Sequence, residues 1–168
     1  GIESYGYRIV EKDKPGNLLV NRLEEMGIAP GPIYQQIKEN PITALENGMV
    51  IKRDEVIGPN KKGRVICILG DTRYQDEHIS FIEHADVLVH EATFEHEKEE
   101  LATEYFHSTT TQAATTALKG QVGSLILTHI SSRYQKDKDA QLLKEARAIF
   151  QSTELAHDFY EIDVPYST

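Results

Sequence analysis

Three short apolar runs, VICIL at Val65–Leu69, VLV at Val87–Val89 and LIL at Leu125–Leu127, stop in the same way, on Gly70-Asp71, His90-Glu91 and Thr128-His129. Uninterrupted runs of this length are typical of strands covered on both faces, because a strand with one wet face alternates apolar and polar residues. Each is followed by a helical pattern. EHISFIEHA follows a possible cap at Asp76, and TTQAATTALK lies between a Ser108 or Thr109 cap and a Gly120 stop. KDAQLLKEARAIF places Leu142, Leu143, Ala146 and Ile149 on one stripe. Strand and helix in alternation predict an α/β chain, and HDFYEIDVP reads as a terminal strand. In such folds the carboxyl ends of the strands carry the ligand-binding groups. Asp71, His90, Glu91 and His129 are therefore expected at one edge, with His107 in the loop before a helix. Oxygen and imidazole donors suit a borderline metal such as zinc. Singly, each has a plain structural reading: Asp71 as a turn or cap, His90 as a core histidine, His107 as a surface residue. His78, His84, His96 and His157 read as helix or loop surface.

The first 64 residues differ in character. SYGYRIVE alternates and predicts a strand burying Tyr5, Tyr7 and Ile9. Next comes a short helix in LLVNRLEEM, capped by Asn17 and ended by Gly27, and then a run with Pro30, Pro32 and Pro41 that excludes a central strand or continuous helix. Asn47-Gly48 predicts a hairpin turn. Residues from about 12 to 60 thus read as an excursion of small elements from a larger fold, with a surface insertion of no special role as the plain alternative.

Composition narrows the function classes. At 168 residues and 39% apolar, the chain can hold one core. No apolar run approaches the ~20 residues of a membrane span, and the first residues lack a charged and then apolar leader, so the expectation is a cytoplasmic protein without membrane contact. The single cysteine, Cys67, sits in an apolar run and reads as a buried hydrophobe. A net charge of −9 argues against non-specific nucleic-acid binding by the whole chain. The charge is uneven, however: residues 1–64 hold 10 of the 18 basic residues and 9 of the 27 acids. Lys52, Arg53, Lys61, Lys62 and Arg64 tilt that stretch toward a polyanion.

The ordered set GDT (Gly70–Thr72), HEATF (His90–Phe94), HST (His107–Thr109) and LTHISSRY (Leu127–Tyr134), with SYGYRI and GIAPGP upstream, resembles the ribonuclease Z family of the metallo-β-lactamase superfamily. The resemblance implies an αββα sandwich, of which residues 1–168 would form the C-terminal half with a projecting arm at about 12–60. It also implies a zinc-dependent endoribonuclease that removes the 3′ trailer of precursor tRNA. Asp71 would bridge two zincs and His129 would be a terminal ligand. His107, with His90 and Glu91, would support the metal ligands or serve proton transfer near the leaving 3′-oxygen, with His107 the favoured donor, oriented by a carboxylate. The arm, through Gly27, Pro30, Gly31 and Pro32 and the cations Lys61, Lys62 and Arg64, would grip the tRNA. The HxHxDH run that supplies the family's other ligands is absent from these residues. An N-terminal half, without which the chain is inactive, is therefore an expected partner, and the resemblance also implies a second copy in a homodimer. Two further readings fit the same residues: a metal-free tRNA-binding or structural subunit, and a related hydrolase of a small ester or lactam. A long remote grip argues against the last.

Overall fold

The computed structural model describes residues 3–134 and 138–166. Two compact units divide the chain. One takes the chain up to Glu11 and again from Arg64 to Pro165, and the other holds Lys12–Gly63. Strand β1 (Gly6–Val10) opens the larger unit. The smaller unit follows, with α1 (Val20–Glu25), α2 (Pro32–Glu39), the hairpin β2 (Ile42–Ala44) and β3 (Val50–Lys52), and the single turn α3 (Arg53–Val56). The larger unit resumes with β4 (Val65–Leu69), α4 (Glu77–Ile82), β5 (Val87–Glu91), a 3-10 turn at His96–Lys98 and α5 (Glu99–Glu104). It ends with α6 (Thr110–Lys119), β6 (Ser124–Thr128), α7 (Asp139–Arg147) and β7 (Thr153–Leu155). Among the described residues no helix is long and apolar enough to cross a membrane.

The larger unit is one five-stranded sheet in the order β1-β4-β5-β6-β7. β4 to β7 are parallel neighbours, and β1 adds to β4 in antiparallel register, Val10 opposite Val65 and Gly6 opposite Leu69. One face carries the core. Cys67, Leu69, Leu88, Leu125 and Leu127 pack beneath Ile82 of α4, Ala113, Ala114 and Ala117 of α6, and Ala146 of α7. The alanine stripe lets α6 approach the sheet closely, and a Cβ at Gly120 would fall 2.5 Å from Ile82, which is why the helix stops on glycine although φ there is ordinary. Cys67 is fully buried, as its sequence context suggests, and burial pushes its thiol pKa up.

The opposite face is partly bare. Tyr7, Ile9 and Ile68 are 62%, 53% and 36% exposed, so the expected burial of Tyr5, Tyr7 and Ile9 does not occur within the described residues. Alternation alone identifies a face that suits burial, while its cover must come from elsewhere. The predicted terminal strand is also absent, because Phe159 takes φ +65 in a turn closed by the Tyr160 N–H on the His157 carbonyl. The edge strand is instead Thr153–Leu155.

The smaller unit has its own core of Leu23, Ile28, Ile37, Ile51 and Val56. Asn17 does not cap α1, whose N-cap is Leu19. The hairpin turns where Asn47-Gly48 places it, but through a three-residue loop. Gly48 N–H reaches the Leu45 carbonyl at 3.0 Å, and Gly48 takes the left-handed conformation at φ +84 that follows a type I turn.

Candidate metal centre

Parallel register brings the ends of β4, β5 and β6 side by side, and Asp71 and His129 leave the same edge from the first and third of these strands. Nε2 of His129 lies 3.4 Å from Oδ2 of Asp71. The ring of His107, delivered by the loop before α6, stacks on that of His129 with centroids 5.2 Å apart. Ligand atoms of Asp71, His107 and His129 all lie within 4.8 Å of one another.

Glu91 organises this cluster from below. Its side chain is 1% exposed. Oε1 accepts the backbone N–H groups of Thr72 at 3.1 Å and Ser108 at 2.9 Å and lies 3.0 Å from Nδ1 of His107; Oε2 accepts the N–H and the hydroxyl of Thr93, both at 2.9 Å. An ionised carboxylate only accepts, so Nδ1 of His107 carries its proton and Nε2 keeps its lone pair. The same logic extends one bond further. The Thr93 hydroxyl gives its one proton to Glu91, so at 2.8 Å from Nδ1 of His129 it must accept, and Nε2 of His129 is also left bare. Both rings are thus held in the tautomer that metal ligation or proton exchange at Nε2 requires. One carboxylate and two such imidazoles suit zinc, with fewer than its four ligands supplied by this cluster.

His129 sits at φ +55, a left-handed backbone rare for a side chain this size, and this bend turns the ring off the strand axis toward Asp71. Ser108 Oγ bonds the Thr72 carbonyl at 2.7 Å, tying the loop of His107 to that of Asp71.

The structure revises two of the expectations, for His90 and His78, and narrows a third, for Glu91. His90 does not join the cluster: it projects from β5 to the face opposite Glu91, opposite Leu127, and is fully buried. Its Nδ1 donates to the Glu91 carbonyl at 2.6 Å, its Nε2 has no hydrogen-bond partner among the described residues, and burial lowers its pKa to about 4. Glu91, with its oxygens occupied by five donors, orients His107 and has no access to a reacting atom. His78, read as plain surface, is half-buried on the wall of the same cleft as Asp71 and His107, and burial lowers its pKa. Thr93 was legible only as a letter of HEATF, although its position two residues after Glu91 is the spacing that returns to the same side.

In the smaller unit, Gly27, Pro30, Gly31, Pro32, Lys61 and Lys62 are exposed. Gly27 ends α1 at φ +78, with Gly27 N–H on the Glu24 carbonyl and Ile28 N–H on that of Leu23, the Schellman closure; Gly31 is the N-cap of α2 and Pro32 its first residue. Arg64 belongs to the larger unit and is half-buried there. Its guanidinium bonds the Glu11 carboxylate at 2.8 and 3.2 Å and the Val164 carbonyl at 2.8 Å, so its role is internal and it leaves the set of expected phosphate contacts.

No family model matches the chain. A curated protein named ribonuclease Z from Oceanobacillus iheyensis is 62% identical over 164 residues, 96% of this chain and 54% of that protein; the one from Geobacillus kaustophilus is 52% identical over 165 residues, 98% and 54% respectively. The chain belongs to the ribonuclease Z family. It spans about half the length of the ribonuclease Z relatives it matches. The crystal structure of the metallo-β-lactamase fold protein YhfI from Bacillus subtilis superposes with a TM-score of 0.50 at 30% identity, covering 55% of this chain and 37% of that one. The sheet and helices of the larger unit are thus part of a metallo-β-lactamase fold, and the Asp71, His107 and His129 cluster lies at its carboxyl edge.

Proposed function

We propose that this chain is the C-terminal half of a zinc-dependent endoribonuclease that cuts the 3′ trailer from precursor tRNA and leaves a 3′-hydroxyl on the tRNA. Asp71 and His129 meeting at 3.4 Å beside a His107 of defined tautomer carries the reading. Zinc, when bound, would offset charge on the scissile phosphate and make a nucleophile available from water at neutral pH. Asp71 would bridge two ions and His129 would hold one through Nε2. The remaining ligands, and the cover for Tyr7, Ile9 and Ile68, would come from an N-terminal half carrying HxHxDH.

His107, once its free Nε2 has taken up a proton from solvent, would hand that proton to the leaving 3′-oxygen, an alkoxide that departs slowly without an acid. Such a donor contributes roughly 10²–10⁴ in rate. Glu91, 3.0 Å from Nδ1, keeps the ring aimed. The Lys12–Gly63 unit would grip the tRNA body through backbone and shape rather than base identity, with Lys61 and Lys62 among its exposed cations. Homodimerisation and a cytoplasmic setting belong to the same reading.

His107→Ala in the chain completed by its N-terminal half tests the assignment. Pre-tRNA turnover should fall by about 10²-fold or more while two zincs per active site are retained. Loss of a zinc would make His107 a ligand, and unchanged turnover would remove its role. A stably folded, metal-free complete protein that binds tRNA without cutting it would favour the binding-subunit reading.

A further inference from the structure

The helix α5 closes with a feature its fold does not need. His107 N–H reaches back to the Ala102 carbonyl at 2.8 Å and Phe106 N–H to that of Thr103 at 3.4 Å, the same Schellman closure that Gly27 makes after α1. The left-handed position that Gly27 fills with φ +78 is here held by Phe106 at φ +62. A bulky side chain is strained in that conformation, and glycine or asparagine would occupy it freely. Nor does the ring gain burial in return, since Phe106 is 61% exposed and the preceding Tyr105 is 59% exposed. Both side chains line the cleft that holds Asp71 and His107, and the guanidinium of Arg73 lies 5.5 Å from the centre of the Phe106 ring. Backbone strain together with an unburied aromatic ring, immediately before a site residue, is the signature of a group kept for a ligand.

We propose that Phe106, with Tyr105 beside it and Arg73 at its edge, is a stacking platform for the base of a nucleotide flanking the scissile phosphate. Aromatic faces accept any base, and a guanidinium over the ring adds a cation within reach of the adjoining phosphate. The platform sets the depth to which the RNA strand enters the cleft, so that the phosphate between stacked and unstacked nucleotides meets the Asp71–His129 pair. This deepens the endoribonuclease reading and rests on it.

The test uses the complete zinc-loaded enzyme and a pre-tRNA whose scissile linkage is a methylphosphonate, which blocks turnover. 2-Aminopurine is placed in turn at the two nucleotides flanking that linkage. Binding should quench the fluorophore at one of them. Phe106→Asn, which keeps the left-handed backbone, should abolish the quench and weaken binding about tenfold, and Phe106→Tyr should restore both. Removing the base at that nucleotide should erase the affinity difference between wild type and Phe106→Asn. An equal loss on intact and abasic RNA, or a quench that survives Phe106→Asn, overturns the platform while leaving the endoribonuclease reading in place. Failure of the wild type to bind either RNA overturns both.

Discussion

Glu91 and His90 are neighbours on one strand and face opposite ways, and their fates show how much a single residue's environment decides. Glu91 is buried among five donors and holds two imidazoles in fixed tautomers; His90 is fully buried with Nδ1 on the Glu91 carbonyl, and its Nε2 has no hydrogen-bond partner among the described residues. Burial disfavours the charged imidazolium and so holds the folded-state pKa of His90 at about 4, against 6.5 in an unfolded chain. The unfolded form binds the proton more readily, so this contribution is full above pH 6.5 and is lost as pH falls toward 4. The difference corresponds to about 3 kcal/mol. Urea unfolding of wild type and His90→Leu across this window should show the variant losing less stability on acidification; parallel profiles would mean that His90 does not titrate as described. From sequence alone, HEA offered two adjacent titratable residues with equal claims, and only strand alternation, which sends them to opposite faces of the sheet, separates them.

At the scale of elements, caps decide where site residues are delivered. Thr109 begins α6 with a reciprocal capping box, its hydroxyl accepting Gln112 N–H while the Gln112 side chain accepts Thr109 N–H. That box fixes the chain just after Ser108, whose N–H is held on Glu91, and thereby the loop carrying His107. Thr109→Ala should cost about 1 kcal/mol in denaturant unfolding. A cost near zero would show that tertiary packing alone holds this helix start. The cap was legible, since Ser or Thr before a helical pattern is a strong local signal, as was the hairpin at Asn47-Gly48. The left-handed Phe106 was not, because glycine announces that conformation and phenylalanine does not.

For the whole molecule, the smaller unit leaves and rejoins the sheet at one place. Val10 pairs with Val65, and Glu11 N–H bonds the Arg64 carbonyl at 2.8 Å, so the two ends of the excised stretch already stand as neighbouring strands. Replacing Lys12–Gly63 with Asn-Gly should convert β1 and β4 into a plain hairpin. In the completed enzyme, pre-tRNA cleavage should then fall by orders of magnitude more than hydrolysis of a small phosphodiester, as remote binding energy predicts. An equal fall on both substrates would assign the unit to folding. This excision removes the unit's core of Leu23, Ile28, Ile37, Ile51 and Val56 completely, whereas cutting only residues 16–45 would leave Ile51 and Val56 behind without their partners.

Local pattern in the sequence was enough for the alternating strands and helices, the break in character near Arg64 and the family-like motifs, because hydrophobic period, caps and glycine or proline constraints act over a few residues. Which side each strand end presents, the engagement of Arg64 with Glu11 and Val164, the exposure of Tyr7 and Ile9, and the relay from Glu91 through Thr93 to His129 depended on tertiary structure. Each joins groups far apart in the chain or turns on what covers a face, and the free energy of such contacts comes from partners that no stretch of sequence names by itself.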